Sequence, residues 1–165
     1  MADPTNILVG AATFKIAAVG QTAVDVGYTK GGTSVRYEPE FVDIMADQAN
    51  GLVAKRRSSE RMYVTTTFLE VTLARLQQAM GQPSANLSTS TLDLGTSDSC
   101  STPEWTITLV GVGADCSTRT FTFARAVAMG TREYTMSREE ETAFEVEFEI
   151  LKDSNGLFGT VVDSA

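Results

Sequence analysis

Apolar and polar residues alternate with a period of two along much of this chain, most cleanly from Thr142 to Leu151. There Phe144, Val146, Phe148 and Ile150 interleave with Glu145, Glu147 and Glu149. That period puts the apolar set on one face of a strand and the carboxylates on the other. The apolar face belongs to a core. The glutamate face either meets water as the outer side of an antiparallel sheet, or is lined up with copies of itself around a wet, acidic channel. The alternation recurs from Glu60 to Phe68, with Met62, Val64 and Phe68 on one face and Arg61, Tyr63, Thr65 and Thr67 on the other; Thr66 is the mismatch in the apolar set. Trp105, Ile107 and Leu109 then oppose Thr106, Thr108 and Val110, and Phe121 and Phe123 oppose Thr120, Thr122 and Arg125. A turn at Gly113 to Cys116 makes these two stretches a hairpin. Gly111 and Gly113 read as turn residues, because no helix pattern follows and the third glycine of a dinucleotide loop is absent.

Around these stretches the pattern is more broken. Ile7 to Val9 and Phe14 to Val19 are short apolar segments, strand or extended arm within residues 1–23. Val24 to Tyr28 is a short strand leading into Thr29 to Thr33, where Gly31 and Gly32 supply the positive φ of a tight hairpin turn. Val35, Tyr37, Phe41 and Ile44 mark a longer strand. Pro39 in its middle lacks an N–H, so that point is an edge, a bulge or a break. Residues 47–58 form a long loop carrying Asp47, Gln48, Asn50, Leu52 and Val53 and then the basic run Lys55, Arg56 and Arg57. It is either a mobile hairpin tip or a docking arm that meets an acidic surface on another copy. The spacing of Leu73, Leu76 and Met80 predicts one helix over about 72–81, capped by Thr72 and ended by Gly81. So short a helix must lay its stripe on a sheet. Residues 82–103 are a long polar connection with a short strand at Thr91 to Leu94, and a turn from Asp153 leads to a last strand at Thr160 to Asp163.

Composition narrows the function classes. A chain of 165 residues, 42% of them hydrophobic, suits a single domain over 1–165 with a sizeable core. No run reaches the roughly 20 apolar residues of a spanning helix. A formal charge of -8 argues against wrapping nucleic acid, since phosphate affinity comes from Lys and Arg. There is no histidine, which removes the commonest general base and metal ligand. Two separated cysteines, Cys100 and Cys116, cannot complete a usual zinc site. The start, Met-Ala-Asp-Pro-Thr, lacks a secretory pattern and points to folding in the cytosol, with thiols rather than a disulfide. No catalytic set, metal site or cofactor site is expected.

The order of elements and several phrases then carry a resemblance. Asp25-Val-Gly-Tyr-Thr-Lys-Gly-Gly-Thr, the Glu38-Pro39-Glu40 strand, the long loop, Thr65 to Leu69, and Glu70-Val-Thr-Leu-Ala-Arg-Leu-Gln-Gln-Ala-Met resemble the major tail tube proteins of tailed bacteriophages, especially the long-tailed ones. The likeness runs from about residue 24 to 81 and resumes from Arg125-Ala-Val-Ala to Asn155-Gly156; 82–103 lies outside it. It implies a mainly β fold, an antiparallel sandwich or barrel-like domain with one flanking helix. It also implies homo-hexameric rings in which long hairpins form an inner β-barrel. Stacked rings would form a tube in a virion tail, assembled in the host cytoplasm with tape-measure and tail-tip or terminator proteins. DNA would pass through without specific binding, and no membrane would be involved. On that reading Glu145, Glu147 and Glu149 face the lumen with Thr65, Thr67, Thr120 and Thr122, and 47–58 makes the ring-to-ring contact. Arg36, Arg61, Arg119 and Arg125 are then expected at subunit contacts or on the outer surface, paired with carboxylates.

Two other readings compete. A β-sandwich binding or adhesion module would use exposed aromatics such as Trp105 and Tyr134, although Trp105 is in phase with Ile107 and Leu109. A glycoside hydrolase would use two of the glutamates, whose same-face neighbours lie about 7 Å apart along a strand, yet nothing nearby suggests a sugar cleft.

Overall fold

The structure is a computed structural model that describes residues 10–45, 51–95, 100–114, 117–134, 136, 138–139 and 141–164. Among the described residues there are eight strands: β1 (Thr13–Ala18), β2 (Val24–Asp25), β3 (Thr29–Met45), β4 (Leu52–Phe68), β5 (Trp105–Val112), β6 (Thr118–Met129), β7 (Phe144–Ile150) and β8 (Thr160–Ser164). One α-helix, α1 (Leu73–Ala79), follows β4. All the strands join one antiparallel sheet in the order β2-β1-β5-β6-β7-β4-β3, with β8 added beside β6. The fold is mainly β with one helix.

The sheet closes on itself to make its core. Phe14 of β1 meets Phe68 of β4 edge-on at 5.6 Å and Phe148 of β7 at 6.1 Å. Three strands separate β1 from β4 in the sheet order, so these rings meet only because the sheet curls into a barrel-like sandwich. The alternation places the enclosed face. Phe144, Val146, Phe148 and Ile150 are buried, as are Val64 and Phe68, Ile16, and Trp105, Ile107 and Leu109. The mismatch at Thr66 resolves locally. Its side chain is buried in the apolar phase, and its hydroxyl sits 3.1 Å from that of Thr33, which satisfies a buried polar group.

On β6 the inward phase changes strand-half. Phe123 and Ala126 are both buried, which a strict period of two forbids. The register slips between Trp105 and Ile107, where Ala126 and Phe123 are the respective partners. The extra β6 residue is a bulge, and it moves Arg125 to the outer face.

Several expectations need correction. Gly31 and Gly32 do have positive φ, 75° and 85°, but they form no hairpin turn. They lie inside β3, where the register jumps from Lys30↔Thr67 to Ser34↔Thr65, and the positive φ serves an enlarged bulge. Residues 52–58 are not loop. They are the first part of β4, paired with β3 back to Met45↔Leu52, because the hydrogen-bonded ladder continues well past the core. In α1, Leu73 is 37% exposed, whereas Ala79 and Gln77 are buried and Leu76 and Met80 pack against the core. The Gln77 amide reaches the Gln82 carbonyl at 2.6 Å, so a polar side chain takes the inward place by tying down the chain after the helix.

The helix ends are as the sequence predicts: the Thr72 hydroxyl accepts from the Arg75 N–H at 3.3 Å, and Gly81 has φ 63°. Pro39 lies on β3, the sheet's edge strand, directly before a register slip between Glu40 and Phe41. The connection at 82–95 holds a short 3-10 turn, Ser84–Asn86, and an isolated Leu87↔Leu92 bridge instead of a strand. The Asn86 amide pins it through the carbonyls of Asp93 (3.0 Å) and Gly95 (2.7 Å). Cys100 is exposed; Cys116 and Ile7 to Val9 lie outside the described residues.

Candidate functional site

The outer face of β7, β4 and β3 is built by cross-strand pairing. Tyr63 pairs with Glu149, Thr65 with Glu147 and Thr67 with Glu145, so the glutamates and the β4 threonines stand side by side. The Thr65 hydroxyl lies 3.4 Å from a Glu147 carboxylate oxygen. On the other flank Val127 and Met129 of β6 pair with Glu149 and Glu147. An open groove of about 670 Å³ runs here, lined by Thr65, Thr67, Met129, Thr131, Glu133, Glu145 and Glu147 among others. Of the four threonines expected beside the ladder, Thr65 and Thr67 are there and Thr120 and Thr122 are not. The latter pair with Val110 and Thr108 on one side and Val162 and Thr160 on the other. β7 joins β6 only from Ala126 onward, so the lower half of that strand belongs to a different neighbourhood.

This face is not purely acidic. Arg36 lies over the Tyr63 ring at 4.7 Å, bonds Glu38 at 2.8 Å and approaches Glu147 at 3.5 Å. Arg61, in phase with Tyr63, is driven further toward its charged form, first by the Tyr63 hydroxyl and less by the nearby Glu149 carboxylate. Arg36 is paired with carboxylates as expected, Arg61 makes no ion pair among the described residues, and both lie on the glutamate face. The other two stand away from it: Arg119 grips Asp163 at 2.7 and 2.6 Å, and Arg125 grips Glu104 at 2.7 and 2.6 Å. Those guanidinium contacts hold Asp163 and Glu104 below the usual carboxylate range. Arg36 and Glu38 could have been assigned to this face only from the β3–β4 register, which a period of two on each strand does not supply.

The second region is the far half of the β3–β4 hairpin. β4 pairs with β7 only from Tyr63 onward, so residues 41–45 and 52–57 leave the sheet as a two-stranded ribbon, the arm. Phe41 and Met45 lie on one face, 52% and 73% exposed, and Val42 on the other, 55% exposed; Leu52 and Val53 are also exposed. The basic run sits on this ribbon. Lys55 bonds Asp43 at 3.1 Å and Arg57 bonds Glu60 at 2.7 Å, while Arg56, opposite Val42, has no ion pair among the described residues. Asp47, Gln48 and Asn50 lie outside the described residues.

At the arm's root Glu60 gathers three donors: the Tyr37 hydroxyl at 2.6 Å, Arg57 at 2.7 Å and Lys152 at 2.5 Å. The Lys152 and Tyr37 hydrogen bonds hold its carboxyl down to about 2. A carboxylate in the apolar phase of β4 is the sequence signal for this cluster, which a reading of the alternation alone passes over.

Trp105 is buried, whereas Tyr134 is exposed and rests beside Phe144 at 6.2 Å. Among the described residues no group of three or more His, Cys, Asp or Glu side chains is placed to hold a metal, and no helix is long and apolar enough to cross a membrane.

No protein-family model matches the sequence, and a comparison with curated proteins gives no match. A comparison with solved structures does find similar chains. A chain of an anti-feeding prophage baseplate, solved by cryo-EM with 6-fold symmetrisation, is similar at a TM-score of 0.54 and 8% identity, over 99% of this chain and 97% of that one. Chains from the virion of a native gene transfer agent particle (TM-score 0.45, 10% identity) and from the tail of an empty particle refined with C6 symmetry (TM-score 0.46, 11% identity) align over 100% of both partners. The fold is thus one also found in a baseplate of a phage-like particle.

Proposed function

We propose that this chain is a structural, non-catalytic subunit of a phage-type tail tube, joining copies of itself into stacked hexameric rings around a channel that conducts DNA. The observation that carries this is the arm. A two-stranded ribbon is marginal by itself in water, and this one exposes Phe41, Met45, Leu52 and Val53, whereas β7 buries Phe144, Val146, Phe148 and Ile150. Apolar side chains kept out in solvent on an edge are a surface waiting for a partner. β3 also has no strand on its outer edge among the described residues. Pairing such edges between copies closes a barrel and satisfies the backbone groups.

The face of Glu145, Glu147 and Glu149 is then the lumen wall, with Thr65 and Thr67 beside the first two. Carboxylates repel phosphate at short range, and screening over about 10 Å at 0.1 M salt leaves a duplex on the axis little affected. Arg36 is compatible with this because Glu38 and Glu147 already engage it, and the charge of Arg61 is offset by Glu149 and Glu40 nearby. The fold shared with a 6-fold symmetrised baseplate chain supports an assembling subunit. The arm, with Lys55, Arg56 and Arg57, reaches the next ring, and other tail proteins set the length and the ends.

Negative-stain electron microscopy of the purified chain at increasing concentration, with its mass in solution, tests the reading. Rings or hollow tubes of uniform width are expected. A chain that stays monomeric even with a tail-tip template overturns it. In the tubes, reversing charge at Glu145, Glu147 and Glu149 should retain DNA inside.

A further inference from the structure

The arm leaves the body through a bulge. Glu40 pairs with Ser59 but Phe41 pairs with Arg57, so Ser58 is an extra residue at the point of departure. A bulge there bends and twists the ribbon, and with no third strand alongside, little in the sheet fixes the direction it takes. What does lie alongside is a chain of polar contacts that begins on the outer face of the body. Glu104, just before β5, holds Arg125 of β6 through two bonds of 2.7 and 2.6 Å. The same guanidinium donates to the Lys152 carbonyl at 3.2 Å, and the Leu151 N–H donates to the Arg125 carbonyl at 2.9 Å. The backbone beyond β7 is thereby clamped to β6. From that anchor the Lys152 ammonium reaches Glu60 at 2.5 Å and passes 5.3 Å from the Phe158 ring. Glu60 holds Arg57 and, across the ribbon, Tyr37, whose ring also meets Phe158 at 6.5 Å. Both strands of the arm's root are thus tied to the body through one carboxylate.

We propose that Lys152 and Glu60 form a latch that fixes the direction of the arm, so that it is presented to a second copy already oriented. Lys152 is the positioning residue, because its backbone belongs to the body and its side chain to the root. Orienting a flexible segment before association reduces the ordering cost at the contact. The proposal rests on the assembly reading only for what the arm is for; the latch itself is a property of one chain.

The test is made on monomeric chain with Cys100 and Cys116 replaced by Ser and nitroxide labels at Ala54→Cys, on the arm, and Ala124→Cys, exposed on β6. Pulsed electron resonance should give one narrow distance population in the parent and in Lys152→Arg, which keeps the charge, and a broadened one in Lys152→Met. Amide exchange at Tyr37, Glu38 and Glu40 and at residues 57–60 should rise about two- to fivefold in Lys152→Met, the range expected for loss of one partly exposed ion pair. Exchange in β7 should not change. Glu60→Gln should reproduce the broadening and serves if Lys152→Met does not fold. Unchanged distances in both variants overturn the latch. A latch that behaves as expected in a chain that never forms rings leaves this inference standing and removes the assembly reading; rings with an unlatched arm do the reverse.

Discussion

The two halves of β4 belong to one continuous strand and differ in what lies around them. From Tyr63 to Phe68 it is held between β3 and β7, with Val64, Thr66 and Phe68 sealed inside. From Leu52 to Arg57 it has β3 alone and buries nothing. Pairing with β3 is therefore common to both halves, whereas pairing with β7 and burial belong to the body half alone. The body half is stabilised by removing apolar area from water; the arm half keeps that contribution in reserve for a contact with another molecule. Pairing gives the arm its shape, and the latch at Glu60 gives it a direction.

The sharpest way to break this contrast is to truncate one phenylalanine from each region. Phe148 is fully buried and touches Phe14, so Phe148→Ala should cost about 3–5 kcal/mol in urea unfolding of the monomer. Phe41→Ala, at 52% exposure, should stay within about 0.5 kcal/mol of the parent. Comparable losses from the two would mean that the arm is part of the folded core.

Assembly should reverse the ranking. Met45→Asp puts a charge where 73% of an apolar side chain is exposed. It should leave monomer unfolding unchanged and raise the concentration needed for ring formation by roughly thirtyfold, the loss of about 2 kcal/mol at a central contact. Sedimentation across a concentration series reads this. An unchanged threshold would take the arm out of the interface.

The contrast between the regions also explains what the sequence made legible. Alternation placed the core faces of β4, β5 and β7 correctly, because a half-buried strand writes its environment into every second residue. The helix was readable from Thr72, Leu76, Met80 and Gly81 for the same reason, local chemistry at fixed spacing. The β4 side of the arm was read as loop from its polar and basic composition, since nothing buries it and no inward phase can be seen. Gly31 and Gly32 announced positive φ but not whether it served a turn or a bulge; only the partner strand decides that. The glutamate face was visible on β7. Its neighbours Arg36 and Glu38, and the separation of Thr120 and Thr122 from it, depend on register and sheet order, which no single strand encodes.

A smaller effect confined to the body comes from the helix cap. Thr72→Ala removes the acceptor for the Arg75 N–H, and the helix it starts brings Leu76, Ala79 and Met80 to the core. The cost should be about 1 kcal/mol in monomer unfolding. The ring-formation threshold should not move, because α1 takes no part in the arm. A shift in that threshold would couple the two regions through the body.

The smallest expected effect is acid loosening of the arm's root, and its sign follows from Glu60. Its carboxyl is depressed from an ordinary 4.5 to about 2 by the Lys152 and Tyr37 hydrogen bonds, with the charges of Lys152 and Arg57 adding to the shift. A group depressed in the folded state contributes fully above its unfolded value and loses that contribution as the pH falls through its folded one. The arm-to-body distance should thus stay narrow from neutral pH down to about pH 4 and broaden progressively toward about pH 2. In Glu60→Gln it should already be broad and show no further change over that window. If the parent loosens only where the whole body unfolds, Glu60 contributes nothing separable to the arm, and the distinction between the halves of β4 rests on burial alone.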